Sequence, residues 1–342
     1  MLRMGNACTR EGATGVDINE IAKLAGVSRA TVSRYLNDGY VSKEKRELIA
    51  RVINETGYVP SQQARTLRTG KTKLVGVIIP KINSHSVSRM VAGITKVLAQ
   101  NGYQVLLANT DNNEKAEVDY LNLFAERNKV DGIILIATVF TNAHHKALDS
   151  LNVPVVILGQ RLDGHSCVYQ DDYHAIYDLT RSILKTSHTP GYIGVYEKDV
   201  AAGHERHRAF LDACASMDVA VDPKAQQSAT FSVDSGYLSA EKILDAVPDV
   251  DAIICATDDI AFGAMTCLRE YGKRIPEDVQ VTGVGDSKLS KIMTPSLTTI
   301  HFYYLTSGVE AAKMLVDAMT DGDGVPRELR MGYEIYARTS SR

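Results

Sequence analysis

The 342-residue chain is 44% apolar and 23% charged, the balance of a soluble globular protein with room for two ordinary domains and a small extra module. No apolar run nears the roughly 18 residues that cross a bilayer, which excludes an integral membrane helix. Its five cysteines, Cys8, Cys167, Cys214, Cys255 and Cys267, include no C-x-x-C pair, so neither a disulfide framework nor a metal site is expected, no cofactor is called for, and a reducing cytoplasm fits.

The charge is unevenly divided. Residues 1–73 hold 13 Lys+Arg against 7 Asp+Glu, leaving 25 against 34 for the remainder. A basic head on an acidic body marks the head as the part that meets a polyanion. The opening "MLRMGNACTREGATG", residues 1–15, has no apolar signal-peptide region and reads as a disordered tail. Within it "MGNACT" would be a myristoylation site only for translation from Met4, and chance is the simpler explanation.

The first helix is written in "DINEIAKLAG". Asp17 and Glu20 stand at capping-box spacing, Ile18, Ile21, Ala22 and Leu24 form an apolar face, and Gly26 permits the left-handed residue that ends a helix. Ser28 caps a second helix, Arg29 to about Leu36, which buries Val32 and Leu36 and turns Arg29, Ala30, Ser33 and Arg34 outward. A third runs from Ser42 to Gly57, with Leu48, Ile49, Val52 and Ile53 inward. These elements make an all-α helix-turn-helix domain over residues 16–60, whose second helix reads the DNA major groove. Arginine donates two parallel bonds to guanine, and Ala30 suits a thymine methyl.

Two segments, "DINEIAKLAGVSRATVSRYLND" and "GYVPSQQARTLRTGK", closely resemble the N-terminal signature of the lactose-repressor (LacI/GalR) family. The resemblance implies a hinge over residues 61–73 that becomes helical on operator DNA. Physical reasoning agrees, because a lone ten-residue helix is marginal in water and orders only when held. Leu67 would wedge a base step open in the minor groove, with Arg65 and Arg68 near phosphate. The expected DNA-contacting set is therefore Ser28, Arg29, Ala30, Thr31, Ser33, Arg34 and Asn37, together with Ala64, Arg65 and Leu67. Two positions depart from the family pattern: Ser61, where asparagine usually follows the proline, and Tyr35, where valine is common.

After the hinge, "LVGVIIP" reads as a buried parallel strand. Helix Val87–Asn101, strand "YQVLLANT", helix Glu114–Arg127, strand "VDGIILIAT" and strand "VPVVILGQ" follow. A second series comprises "HTPGYIGVYE", helices Arg208–Met217 and Ser235–Ala246, strand "VDAIICATD", helix Ile260–Tyr271 and strand "VQVTGVGD". Repeated strand-helix units predict doubly wound parallel sheets, here α/β in two lobes with a ligand cleft at the strand carboxyl ends. The resemblance implies a periplasmic-binding-protein-like core over 74–342. Its chain would cross between lobes near Asp171, Thr299 and Gly324, giving an N-lobe of about 74–170 and 301–323 and a C-lobe of about 171–300 and 324–342.

A sugar presents hydroxyls and apolar faces, so its site needs carboxylates, an arginine and aromatic rings. Arg206 at a helix start, Asp258 and Asp259 after "IICAT", and Asp286 after "VTGVG" supply the first two, and Phe302 and Tyr304 of "HFYY" the rings. By resemblance Arg206 occupies the family's effector-contacting arginine position and Asp258 that of an Asn or Asp. The family's frequent ligand aspartate falls on Gly285, one residue before Asp286. Lys81, Asn83 and Ser84, in "KINSHSVS", are further expected contacts, although that loop differs from the family pattern. Asp171, in "VYQDDYHA", reads as a crossover or cleft residue.

The histidines of "HERH" are three apart, one short of the H-E-x-x-H metalloprotease spacing, and no nucleophile elbow, P-loop or dinucleotide fingerprint occurs. The expected molecule is thus not an enzyme. It is a cytoplasmic, nucleoid-associated repressor of a carbohydrate operon that binds palindromic operator DNA as a homodimer and is released by a small sugar. The segment "VGDSKLSKIMTPSLTTIHFYYLTSGVEAAKML" resembles repressors of sucrose and trehalose operons and favours sucrose or a related α-glucoside. No leucine heptad follows at the C-terminus, so a dimer is expected and not a coiled-coil tetramer. The rival readings are a corepressor-dependent regulator using a phosphorylated carrier protein or a purine, and a sugar-binding transport protein; neither that transport protein nor a sugar-converting enzyme accounts for residues 17–70.

Overall fold

The computed structural model describes residues 16–58, 66, 70–320, 322 and 324–342. The chain divides into two compact units, Met1–Thr72 and Lys73–Arg342. In the smaller unit, α1 (Ile18–Leu24), α2 (Arg29–Tyr35) and α3 (Lys43–Thr56) form where local chemistry starts and stops them. The Asp17 carboxylate accepts the backbone N–H groups of Asn19 and Glu20, each at 2.8 Å, and Ser28 Oγ accepts that of Thr31 at 3.2 Å. Gly57, at φ +63°, closes α3 in the left-handed region. Ile21, Val32 and Ile49 are wholly buried and meet at the centre. Leu24 and Leu48, expected inward, are exposed, because these three side chains with half-buried Leu36, Val52 and Ile53 already fill so small a core. Ala64, Arg65 and Leu67 lie outside the described residues.

The larger unit holds two sheets. Strands β1 (Leu74–Ile79), β2 (Gln104–Asn109), β3 (Gly132–Leu135), β4 (Val155–Leu158), β5 (Ser166–Gln170) and β11 (Glu328–Met331) form the first, ordered β11-β5-β4-β3-β1-β2 and parallel throughout. The second contains β6 (Pro190–Gly194), β7 (Gln226–Ser228), β8 (Ala252–Cys255), β9 (Gln280–Val284), β10 (Thr298–Phe302) and β12 (Tyr333–Tyr336), ordered β12-β10-β9-β8-β6-β7, with only β12 antiparallel. The central strands are apolar runs buried on both faces, as parallel sheets covered by helices require.

Helices α4 (His85–Gln100), α5 (Glu114–Asn122) and α6 (Asn142–Ser150) flank the first sheet. Leu123–Arg127, expected to continue α5, is wound as a π-helix. The second sheet carries α7 (Asp172–Ile183), α8 (Arg206–Ser216), α9 (Val233–Ala246), α10 (Asp258–Glu270) and α11 (Lys288–Ile292), and α12 (Tyr304–Thr320) returns to α4 of the first lobe. A Cβ on Gly308 would stand 2.0 Å from the Met90 carbonyl oxygen, and one on Gly93 would stand 2.1 Å from that of Leu305. Glycine at both positions lets α4 and α12 touch backbone to backbone.

The chain passes from the first sheet to the second after β5 and returns after β10. The third crossing, expected near Gly324, falls at Gly332, because β11 pairs with β5 before β12 pairs with β10.

Candidate functional site

In the smaller unit, α2 presents Arg29, Ala30 and Arg34 to solvent, with Ser28 and Asn37 exposed at its ends. Thr31 and Ser33 are half-buried: Thr31 Oγ1 is 2.9 Å from Ser28 Oγ, and the Ser33 carbonyl accepts from the Asn37 side chain. These groups rigidify the helix that would carry the arginines. Tyr35 packs beneath the Arg46 guanidinium, 5.4 Å from ring centroid to Cζ, so the tyrosine found there ties α2 to α3.

In the larger unit a cavity of about 380 Å³ opens between the two sheets' carboxyl ends, within the size range of small-molecule sites. Asn83, Ser84, Arg206, Asp258 and Tyr304 line it. Ser84 also begins α4, its Oγ accepting the Val87 N–H at 3.5 Å.

Arg206 is buried against Asp172. Its Nε donates to Asp172 Oδ1 at 2.7 Å, Nη2 lies 2.6 Å from the same oxygen, and Nη1 donates to the Ala256 carbonyl at 2.5 Å. Burial alone would lower the guanidinium pKa, but the neighbouring carboxylate more than offsets this and fixes the positive charge. Phe302 lies under it, 5.7 Å from ring centroid to Cζ. Wholly buried, Phe302 does not line the cavity; its contribution is to support Arg206, a correction to its expected place as a stacking ring.

Asp258 is largely engaged by its own lobe. Thr299 Oγ1 donates to its Oδ1 at 2.5 Å and the Ser287 N–H to its Oδ2 at 2.7 Å. Burial raises its pKa in spite of those two bonds.

Asp286 is a second correction. Its carboxylate faces away from the cavity into a cluster of basic side chains: Oδ1 accepts from Arg338 Nη2, and Oδ2 lies 3.0 Å from His301 Nδ1 and 3.2 Å from Lys291 Nζ. The backbone at Asp286 is left-handed, φ +47°. A strand-end position therefore did not translate into a cleft-facing side chain, because that turn directs it back into the lobe.

The polar lining residues that had no expected contact role include Gln160, Gln170, Asp172 and Asp199. Gln160 and Gln170 lie at or just beyond the carboxyl ends of β4 and β5, so the strand-end rule could have found them. Gln160 Nε2 reaches across to Asp199 Oδ1 at 3.4 Å, and Arg89 of α4 donates to the Gly285 carbonyl on the opposite lobe. Both amide atoms of Gln170 are buried without a hydrogen-bond partner among the described residues; a buried amide left in that state costs about 1–3 kcal/mol.

Asp199 is buried, and its Oδ1 accepts the Ala202 N–H at 2.9 Å. Burial pushes its pKa up to about 6 from 3.8. The folded state therefore holds a proton that the unfolded chain releases, and stability falls as pH rises from about 4 to about 6. Asp199→Asn is accordingly expected to raise stability by about 2–3 kcal/mol at pH 7.5 and by little at pH 4, as read from urea midpoints at the two pH values.

A helix-turn-helix unit followed along the chain by a two-lobed binding core defines a ligand-responsive DNA-binding regulator. Residues 17–61 match the description "Bacterial regulatory proteins, lacI family" and residues 187–341 "Periplasmic binding protein-like domain". The sucrose operon repressor of Staphylococcus xylosus is 34% identical over 300 residues, 87% of this chain and 92% of the relative. CelR of Thermobifida fusca is 31% identical over 330 residues, 94% and 96% of the two chains.

Among solved structures, a CelR–cellobiose complex aligns with a TM-score of 0.74 at 29% identity, covering 95% of this chain and 99% of that one. The lac repressor dimer bound to operator and the anti-inducer ONPF aligns with a TM-score of 0.86 at 22% identity, covering 96% and 99%, a likeness of fold. The chain belongs to the lacI family of bacterial regulatory proteins and is a DNA-binding transcription regulator, not an enzyme. No helix among its described residues is long and apolar enough to cross a membrane.

Proposed function

We propose that the protein represses a carbohydrate-utilisation operon in the cytoplasm and is released from its operator by a neutral sugar, with sucrose or a related α-glucoside favoured. The observation that carries the sugar reading is the cavity: buried carboxylates, an arginine fixed by Asp172 and the unpartnered amide of Gln170 converge on a space lined also by Tyr304. That mixture suits a polyhydroxylated ring. The relatives named for sucrose and cellobiose support it.

On this reading two copies bind a palindromic site, each placing α2 in a major groove, with Ser28, Arg29, Ala30, Thr31, Ser33, Arg34 and Asn37 at the DNA and Ala64, Arg65 and Leu67 in the minor groove. Arg206, Asp258, Asn83, Ser84 and Tyr304 face the effector. The sugar acts by binding one lobe arrangement better than the other, since equal affinity shifts nothing.

Fluorescence anisotropy on the operator with and without mono- and disaccharides tests this; tighter operator binding on adding ligand would make it a corepressor system. In the same assay Arg29→Ala is expected to relax base preference and cost about 1–3 kcal/mol. Uniform weakening over all sequences would assign Arg29 to phosphate instead.

A further inference from the structure

Gln170 closes β5 at the point where the chain leaves the first lobe, and the residue is 95% buried with neither Oε1 nor Nε2 bonded to a described residue. Beside it, Asp172 gives Oδ1 to Arg206, while its Oδ2 has no bond from a described residue. Gln170 and Asp172 both line the cavity, which brings one acceptor-only oxygen and one amide with both a donor and an acceptor beside the same space. Adjacent hydroxyls on a sugar ring each donate and accept, and so complete this set. A carboxylate or phosphoryl oxygen only accepts and leaves Gln170 Oε1 and Asp172 Oδ2 without partners.

Charge points the same way. Asp172, Asp199, Asp258 and Asp259 line the cavity against Lys81 and Arg206, and Arg206 is already paired with Asp172. A phosphate dianion placed there meets more negative than positive charge.

We propose that Gln170 is a specificity-determining residue that reads a vicinal diol, and that it restricts the effector to uncharged, unphosphorylated glycosides. This rests on the cleft being the sugar site. It adds which sugars are admitted and by which side chain.

The test uses the full chain as wild type, Gln170→Leu and Gln170→Glu, with sucrose, trehalose, cellobiose and glucose 6-phosphate as probes, followed by thermal shift and calorimetric titration. Wild type is expected to bind at least one neutral disaccharide and to bind glucose 6-phosphate more weakly than it. Gln170→Leu is expected to melt higher than wild type without sugar, since it removes an unpartnered amide, yet to bind that disaccharide about 10- to 100-fold more weakly. Gln170→Glu keeps an acceptor but loses the donor, and is expected to lose affinity as well. It carries the test where the leucine variant does not fold.

A residue that merely packs would show the opposite pattern, with the melting temperature lowered and affinity unchanged, and that result overturns the proposal. Tighter binding of glucose 6-phosphate than of every neutral probe overturns it too. Where wild type answers to a disaccharide and both variants answer equally, the role of Gln170 fails and the sugar site stands. Where wild type binds the operator but none of the four probes, both fail.

Discussion

Arg206→Ala is expected to abolish the response to the effector and to cost the core about 3–5 kcal/mol, because it leaves the Asp172 carboxylate buried with no cation beside it. The two losses have different causes and can be separated. Replacing both partners, as Arg206→Leu with Asp172→Leu, removes the uncompensated charge, and a buried ion pair exchanged for apolar side chains is often neutral or stabilising. The double variant is therefore expected to recover most of the melting temperature and still ignore the effector. Recovery of both would mean that the arginine serves stability alone and that the ligand is held elsewhere in the cleft. Chemical denaturation supplies the first readout, and operator binding with added sugar the second. Phe302 should behave as a weaker version of Arg206, since it supports the guanidinium from beneath without reaching the cavity.

What could be read from the sequence was what local chemistry decides. The caps at Asp17 and Ser28, the glycine stop at Gly57 and the inward Ile21, Val32 and Ile49 are each fixed within a few residues, and their spacing shows them. The apolar strands β1, β3, β4 and β8 declare themselves because both faces are buried.

Features that depend on distant partners did not show. β5, "SCVYQ", is short and half polar, so neither the strand nor Gln170 at its end stands out until β4 and β11 are found on either side. The third lobe crossing was misplaced for a related reason. "ELRM" and "YEIY" are separated by Gly332 alone, and only pairing in different sheets distinguishes them. Asp172 was visible beside Asp171, but its role depends on Arg206, which is 34 residues later.

Asp286→Asn is expected to destabilise the second lobe by about 3 kcal/mol at neutral pH while leaving effector binding intact in the folded protein. The carboxylate bonds Arg338, which in turn donates to Ser290 Oγ and to the Leu297 carbonyl, each at 2.9 Å. One side chain thus gathers the loop after β9, the strand β10 through His301, and the segment beyond β12. Lys291 is mostly exposed and adds little. Burial by itself would raise the pKa of Asp286, but the bonds from Arg338, His301 and Lys291 outweigh it and hold the pKa below 3.8.

The sign of the pH effect follows. With the folded pKa below the unfolded one, the stabilisation is fully present above about pH 4 and is lost as pH falls through the folded value. Wild type and Asp286→Asn are therefore expected to differ most near neutrality and to converge in acid. Denaturant midpoints measured from pH 7.5 downward check this. A gap that stays constant with pH would mean that the amide fails to reproduce the bond to Arg338 and that the charge matters little. Loss of effector binding in the folded variant would return Asp286 to the cleft. The present arrangement argues otherwise, because every charged partner of the carboxylate lies on its own lobe.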